Sequence, residues 1–125
     1  MEEYFIPQIE DIRIGYECEL LRNVNVLTLT PTNYPPEYKT FIFKKNNIHL
    51  LHDLYPAIRT PYLSKEQIEA EGWKVGYLHN NGFYVHYDEK NRTMHINDYN
   101  GDTYFNGECK DINTFRYICK LLKIN

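Results

Sequence analysis

Few side chains of this chain combine the type and the spacing that nucleophilic catalysis requires. The only serine, Ser64, is followed three residues later by Gln67, and this spacing is typical of a capping box at a helix start. Cys18 and Cys119 fall on the apolar sides of a predicted strand and a predicted helix, where a free cysteine packs as a small hydrophobic side chain. Of the three cysteines, only Cys109 could be exposed and therefore reactive.

Acid–base, phosphate-loop and metal chemistry have no stronger signal. Asp98 and Asp102 flank a predicted turn, and hydrogen bonding to the turn backbone accounts for both carboxylates. Gly72 and Gly76 lack the spacing and the following Lys-Ser/Thr of a phosphate-binding loop. The histidines and cysteines show neither HExxH nor CxxC spacing. We therefore expect a protein that is not an enzyme, with no catalytic residue, no metal and no cofactor.

The richest set of polar and aromatic side chains lies on three predicted antiparallel strands in the C-terminal third. A four-residue loop at residues 88–91 would place Val85 opposite Met94, and an Asn-Gly type I′ turn would place Asn97 opposite Tyr104. The two registers agree on which residues share a face. The apolar face would hold Phe83, Val85, Met94, Ile96 and Phe105. The polar face would hold Tyr84, His86, Thr93, His95, Asn97 and Tyr104.

This polar face offers groups suited to a planar, phosphorylated ligand, although a solvated face without a ligand is the plain alternative. Tyr84 and Tyr104 supply rings for stacking. His86 and His95 are expected to be diagonal neighbours about 7 Å apart at Cβ, which gives two metal ligands where three are needed. Arginines for phosphate groups are Arg59 and Arg92. The predicted ligand-binding set is Tyr84, His86, His95, Asn97, Tyr104, Arg59, Tyr62 and Arg92.

The first half of the chain is predicted to form short strands joined by turns. Alternating polarity over residues 12–20 is typical of a strand with Ile14 on its apolar side. The next strand shifts its apolar phase between Val26 and Leu27, and the prolines that follow predict an extended loop. The strands are predicted at residues 12–20, 24–30, 39–45 and 48–51, with the loop at residues 34–38 and a hairpin turn at Asn46-Asn47.

Two helices complete the predicted fold. The middle helix begins after Ser64 and ends at Gly72, and Trp73 is expected to anchor a core. Residues 111–122 are amphipathic, and their apolar side should cover the apolar face of the three strands. The predicted class is α+β: an antiparallel sheet of about seven or eight strands that could close into a barrel, a short middle helix, and a C-terminal helix packed on the sheet.

Composition limits the classes of protein to which the chain can belong. With 125 residues, 42% hydrophobic and 25% charged, residues 1–125 are expected to form a single globular domain. The net charge of −3, with Lys44-Lys45 as the longest basic run, argues against binding long nucleic acid. The sequence has no apolar stretch of 18 residues, so no membrane segment is predicted. Its start is too acidic for a signal peptide. The odd number of cysteines favours reduced thiols. We expect a cytoplasmic protein.

Three stretches carry a resemblance to known proteins: residues 9–19 with Ile-Gly-Tyr-Glu, residues 59–73 with Leu-Ser-x-Glu-x-Ile-x-x-x-Gly-Trp, and residues 105–118. They resemble short uncharacterised proteins of phages and prophages of Bacteroides and related gut bacteria. That group has no catalytic motif to carry over. The scarcity of alanine and serine beside 12 tyrosines also suggests an AT-rich genome.

The resemblance implies a setting in which small proteins act on host defence. The leading hypothesis is sequestration of a nucleotide-type small-molecule signal, because exposed tyrosines can stack on bases. The alternative is a protein–protein interaction module that caps or inhibits a host or phage protein, which a tyrosine-rich surface also suits. DNA mimicry is disfavoured, because 17 acidic residues are nearly balanced by 14 basic ones. Assembly into a homo-oligomer stays open.

The capping box gives a test of the structural role of Ser64. Replacing Ser64 with alanine removes the hydroxyl that accepts a backbone hydrogen bond, so Ser64→Ala should lower the free energy of unfolding by about 1 kcal/mol. Urea unfolding followed by circular dichroism measures this loss. A variant of unchanged stability that failed to bind a ligand would instead assign the hydroxyl to a site.

Overall fold

A computed structural model describes residues 3–21, 24–25, 30–31 and 37–124. The chain divides into two compact units, Met1–Pro61 (unit 1) and Tyr62–Asn125 (unit 2). The expectation of a single domain over residues 1–125 stays a prediction. None of the helices among the described residues is both long and apolar enough to span a bilayer.

Unit 1 is built around a four-stranded antiparallel sheet. Its strands are β1 (Tyr4–Phe5), β2 (Glu17–Leu21), β5 (Tyr38–Ile42) and β6 (Ile58–Pro61), in the spatial order β1-β6-β2-β5. A separate pair joins β3 (Val24–Asn25) to β4 (Thr30–Pro31), and a short helix α1 (Leu51–Leu54) precedes β6. The buried core side chains of this unit are Ile12, Tyr16, Cys18, Phe43 and Ile58. Within this core the hydroxyls of Tyr16 and Thr60 share a hydrogen bond of 2.7 Å, so both polar groups are satisfied.

The predicted strand at residues 12–20 is only partly correct. A 3-10 helix spans Ile9–Asp11, and Gly15 has a left-handed backbone with φ of +98°, so the regular strand begins at Glu17. Because the alternation is interrupted by this turn, Ile14 is 58% exposed and does not join the core. The predicted alternation holds from Tyr16 to Cys18, which are both buried.

Other predictions for unit 1 need correction. In place of one strand over residues 24–30, the antiparallel pair β3 and β4 spans residues 24–25 and 30–31. The phase shift at Val26 and Leu27 and residues 34–36 of the extended loop lie outside the described residues. Residues 48–51 form a 3-10 helix, Ile48–Leu50, leading into α1, not the second strand of a hairpin. The Lys44 carbonyl closes a turn here by accepting from the backbone N–H groups of Asn47 and Ile48 at 3.1 and 2.8 Å. The Asn47 amide oxygen supports this turn by accepting from the Lys44 backbone N–H at 2.7 Å.

Unit 2 combines a three-stranded antiparallel sheet with two helices. The elements are α2 (Lys65–Ala70), β7 (Phe83–Asp88), β8 (Thr93–Asp98), β9 (Thr103–Glu108) and α3 (Ile112–Leu122), with the strand order β7-β8-β9. The predicted capping box is confirmed, since the Ser64 hydroxyl accepts from the Gln67 N–H and the Gln67 side chain accepts from the Ser64 N–H. Gly72 is left-handed where the helix ends, and Trp73 is buried, as predicted.

Helix α3 covers the apolar face of this sheet, as its periodicity predicts. Ile112, Phe115, Ile118 and Cys119 are buried in one cluster with Val85, Tyr87, Met94 and Ile96 of the sheet. The fold class is therefore α+β, with seven strands in the two larger antiparallel sheets. Within the described ranges, neither sheet closes into a barrel, which corrects that part of the expectation.

The packing of α3 predicts a large cost for truncating its central side chain. Phe115 is 1% exposed, so Phe115→Ala should lower the free energy of unfolding by roughly 3–5 kcal/mol, a large share of the stability of a small domain. The matched control on the same helix is Tyr117→Ala, because Tyr117 is 59% exposed and should cost little. Chemical denaturation compares the two, and equal losses would contradict the packing of α3 on the sheet.

Candidate functional site

Three rings form a row on the sheet face of unit 2 that is opposite the α3-covered core. Tyr84 and His86 alternate with buried Val85 and Tyr87 along β7, and their ring planes lie within 9° of parallel with centroids 5.9 Å apart. His95 on β8 continues the row, with its ring centroid 5.9 Å from that of His86 and a tilt of 43°. We call Tyr84, His86 and His95 the ring row.

The register that builds the ring row differs from the predicted one. His86 lies directly opposite His95, and Val85 opposite Ile96, because the loop after β7 covers residues 89–92. The predicted pairing of Val85 with Met94, and the diagonal placement of His86 and His95, are therefore wrong by two residues. A shift of two keeps every side chain on its face, since side chains alternate with a period of two. The predicted division into an apolar and a polar face thus survives for β7 and β8.

Strand β9 departs from the prediction in a way that removes Tyr104 from the polar face. An irregularity between Ile96 and Asn97 places Asn97 opposite Thr103, so the predicted pairing of Asn97 with Tyr104 is wrong. The cause is the turn before β9. Gly101 has φ of +88° but Asn100 has no positive φ, so the predicted two-residue type I′ turn does not form.

Tyr104 instead contacts residues that belong to the apolar side of the sheet. Its ring packs edge-on against Phe83 with centroids 5.0 Å apart, and its hydroxyl donates to Asp98 Oδ2 at 3.3 Å. The nearby Asp98 carboxylate raises the pKa of Tyr104. Thr103 takes the place on the polar face, where its Oγ1 shares a hydrogen bond of 3.0 Å with His95 Nε2. Thr103 is a site residue that the sequence analysis missed, because no local signal marks the irregularity.

Asn97 places an unsatisfied acceptor beside the ring row. It lies opposite Tyr84, and its amide nitrogen donates to the Asp98 carbonyl at 3.1 Å. Its Oδ1 is buried and receives no hydrogen bond from any residue that the structure describes. Buried acceptors are normally paired, so this oxygen is an exception, and its burial keeps it out of reach of a ligand at the surface.

The predicted phosphate-binding arginines have partners within the chain. Arg92, whose backbone is left-handed, stacks its guanidinium 3.6 Å from the centroid of the Tyr62 ring, so two predicted site residues of unit 2 do contact each other. Arg59 belongs to unit 1, where it lies against Tyr4 and Tyr38, two residues that sequence reasoning did not select. The eight predicted ligand-binding residues are therefore not gathered into one set of contacts.

Burial and turn hydrogen bonds account for the cysteine and the carboxylate that could have carried catalysis. Cys109 is fully buried, which corrects its expected exposure, and burial raises its pKa to about 12. Asp98 Oδ1 accepts from the backbone N–H groups of Asn100 and Asp102 at 2.9 and 3.0 Å, which is turn chemistry. Among the residues described, no group of three or more His, Cys, Asp or Glu side chains is arranged to hold a metal ion.

No protein-family model matches this chain, and no curated protein or solved structure shows significant similarity to it. The resemblance to phage proteins therefore stays a prediction. The geometry of the site is the basis for a functional proposal.

Burial of all three thiols predicts slow alkylation of the folded protein. Desolvation raises the pKa of Cys18 to about 12 and that of Cys119 to about 11, and the reactive thiolate is correspondingly scarce at neutral pH. Iodoacetamide at pH 8 should leave the native protein unmodified while the same protein in guanidinium gains three adducts, as read by mass spectrometry. Fast formation of a single adduct at Cys109 in the native state would contradict its burial.

Proposed function

We propose that this protein is a non-enzymatic binding protein that holds a nucleotide-type small molecule by stacking its base on the ring row. The observation that carries the proposal is the alignment of Tyr84, His86 and His95 on the sheet face opposite α3, with the first two rings nearly parallel. Each base stacked on an aromatic side chain contributes about 1–3 kcal/mol, and stacking tolerates any base.

The surroundings of the ring row support a preorganised platform. Tyr84 and His95 are half-buried, which limits their rotamers, whereas His86 is exposed and accessible to a ligand. The backbone of both strands is fixed by continuous antiparallel pairing over residues 83–88 and 93–98. These side chains lose most of their conformational entropy when the protein folds. Little more would be lost when a ligand binds, and this favours binding.

Polar groups at the edge of the ring row would orient the base. The His95–Thr103 pair on β8 and β9 can donate to or accept from the polar edge of a base. It would supply the few directional contacts that a mostly stacked ligand needs. In the setting that the sequence resemblance implies, the protein would sequester a host-defence signal in the cytoplasm.

A second candidate function rests on exposed apolar side chains of unit 2. Capping of a host or phage protein would use large rings and aliphatic groups that protrude from the surface, since such residues dominate protein interfaces. These exposed side chains are Tyr77, Leu78, Tyr99, Tyr104, Tyr117 and Leu121. This function predicts that variants of those residues, and not of the ring row, lose binding.

The proposal predicts opposite results for two tyrosines of the same sheet. Tyr84→Ala should weaken a nucleotide ligand roughly 5- to 150-fold without unfolding the protein, because it removes one stacking ring. Tyr104→Ala is the matched control and should leave affinity unchanged, because that ring packs against Phe83 on the other side. Calorimetry with a panel of mono-, di- and cyclic nucleotides measures both.

Equal effects of the two variants, or no binding by any nucleotide in the panel, would reject the ring row as a nucleotide site. Mass spectrometry of material released by denaturing the purified protein gives an independent measurement. A co-purifying nucleotide that is lost from Tyr84→Ala preparations would support the proposal.

A further inference from the structure

A second feature with the geometry of a binding site lies on the outer face of the unit 1 sheet. The guanidinium carbon of Arg59 is 3.6 Å from the centroid of the Tyr4 ring and 3.5 Å from that of the Tyr38 ring. Its Nε donates to Glu19 Oε1 at 2.9 Å. We call Tyr4, Glu19, Tyr38 and Arg59 the guanidinium clamp.

Strand order explains how these four residues meet. Arg59 on β6 pairs directly with Glu19 on the adjacent strand β2, which puts both side chains on the same face. Tyr4 comes from β1 and Tyr38 from β5, the two outer strands of the sheet order β1-β6-β2-β5. The rings therefore reach the guanidinium from opposite sides, and its plane lies between them.

The clamp leaves one edge of the guanidinium unused. The Nε edge is occupied by Glu19, but neither Nη has an acceptor in the part of the chain that the structure describes. The Nη atoms are not among the buried polar atoms that lack a hydrogen-bond partner, and 29% of the Arg59 side chain is exposed. The two Nη groups therefore present parallel N–H donors to solvent while the rest of the guanidinium is covered.

We propose that this free edge of Arg59 binds an oxyanion, a phosphate or carboxylate group of a small ligand. Two parallel N–H donors match the spacing of two oxygens on either group and form a bidentate pair. The two rings restrict the rotation of the guanidinium, so little further rotamer entropy is lost when the anion binds. Glu19 fixes the other edge of the guanidinium and offsets part of its charge, which gives moderate affinity and a strong dependence on geometry.

The inference is independent of the proposed function, because the clamp belongs to unit 1 and the ring row to unit 2. A nucleoside without a phosphate probes the ring row alone. Inorganic phosphate and acetate, which have no ring to stack, probe the clamp alone. Failure at one site is thus distinguishable from failure at the other.

The direct measurement is titration of the ¹⁵N-labelled wild-type protein with inorganic phosphate and, separately, with acetate. The Nε–Hε resonance of Arg59 should shift in a saturable manner with one or both anions. Shifts with phosphate alone identify a phosphorylated ligand, and shifts with acetate alone identify a carboxylate. If neither anion shifts the resonance at about 50-fold molar excess over the protein, the proposal is overturned.

Variants then separate the shape of the clamp from its charge. Arg59→Lys keeps the charge but loses the planar fork, and should weaken anion binding by about 10-fold or more. Tyr38→Leu removes one ring without changing charge and should also weaken it. Glu19→Gln removes a repelling carboxylate and should tighten anion binding.

The matched control is Arg13→Lys, the same exchange at an exposed arginine of unit 1, which should leave anion binding unchanged. Equal effects of Arg59→Lys and Arg13→Lys, with both variants folded by circular dichroism, would overturn the clamp.

Discussion

Packing of helix α3 on one face of the three-stranded sheet is the constraint on which the ring row depends. Once Val85, Met94 and Ile96 are buried against the helix, the alternation of side chains directs their neighbours to the other face. This is why Tyr84 and His86 lie on the face opposite α3 although the pairing of β7 with β8 differs by two residues from the expected register. A shift of one residue would have exposed the core, and the cost of exposing it excludes that register.

A single local irregularity then decides the composition of the polar face. Between Ile96 and Asn97 the ladder with β9 slips, and Thr103 replaces Tyr104 beside His95. The polar face gains the Thr103 hydroxyl and loses the Tyr104 ring, which packs edge-on against Phe83. Irregularities of this kind redirect side chains without disturbing the rest of a sheet, and they are frequent next to functional surfaces.

Tyrosine rings stack on arginine guanidinium groups in both units. The guanidinium carbon of Arg92 is 3.6 Å from the centroid of the Tyr62 ring. Arg59 has a ring on each face and a carboxylate on its Nε edge. Because a stacked guanidinium is weakly hydrated on its covered faces, its remaining N–H donors are the groups left to interact with an anion.

The sequence by itself determined the features that depend on neighbours a few residues apart. The capping box at Ser64, the covered side of α3, and the division of β7 and β8 into two faces follow from local spacing and periodicity. Tertiary structure decided the placement of Arg59 between rings from strands β1 and β5, because these residues are distant in sequence. It also decided the slip of the ladder between β8 and β9, which exists only once the two strands pair. No local pattern specifies such contacts, since their free energy arises only when the strands that carry them have paired.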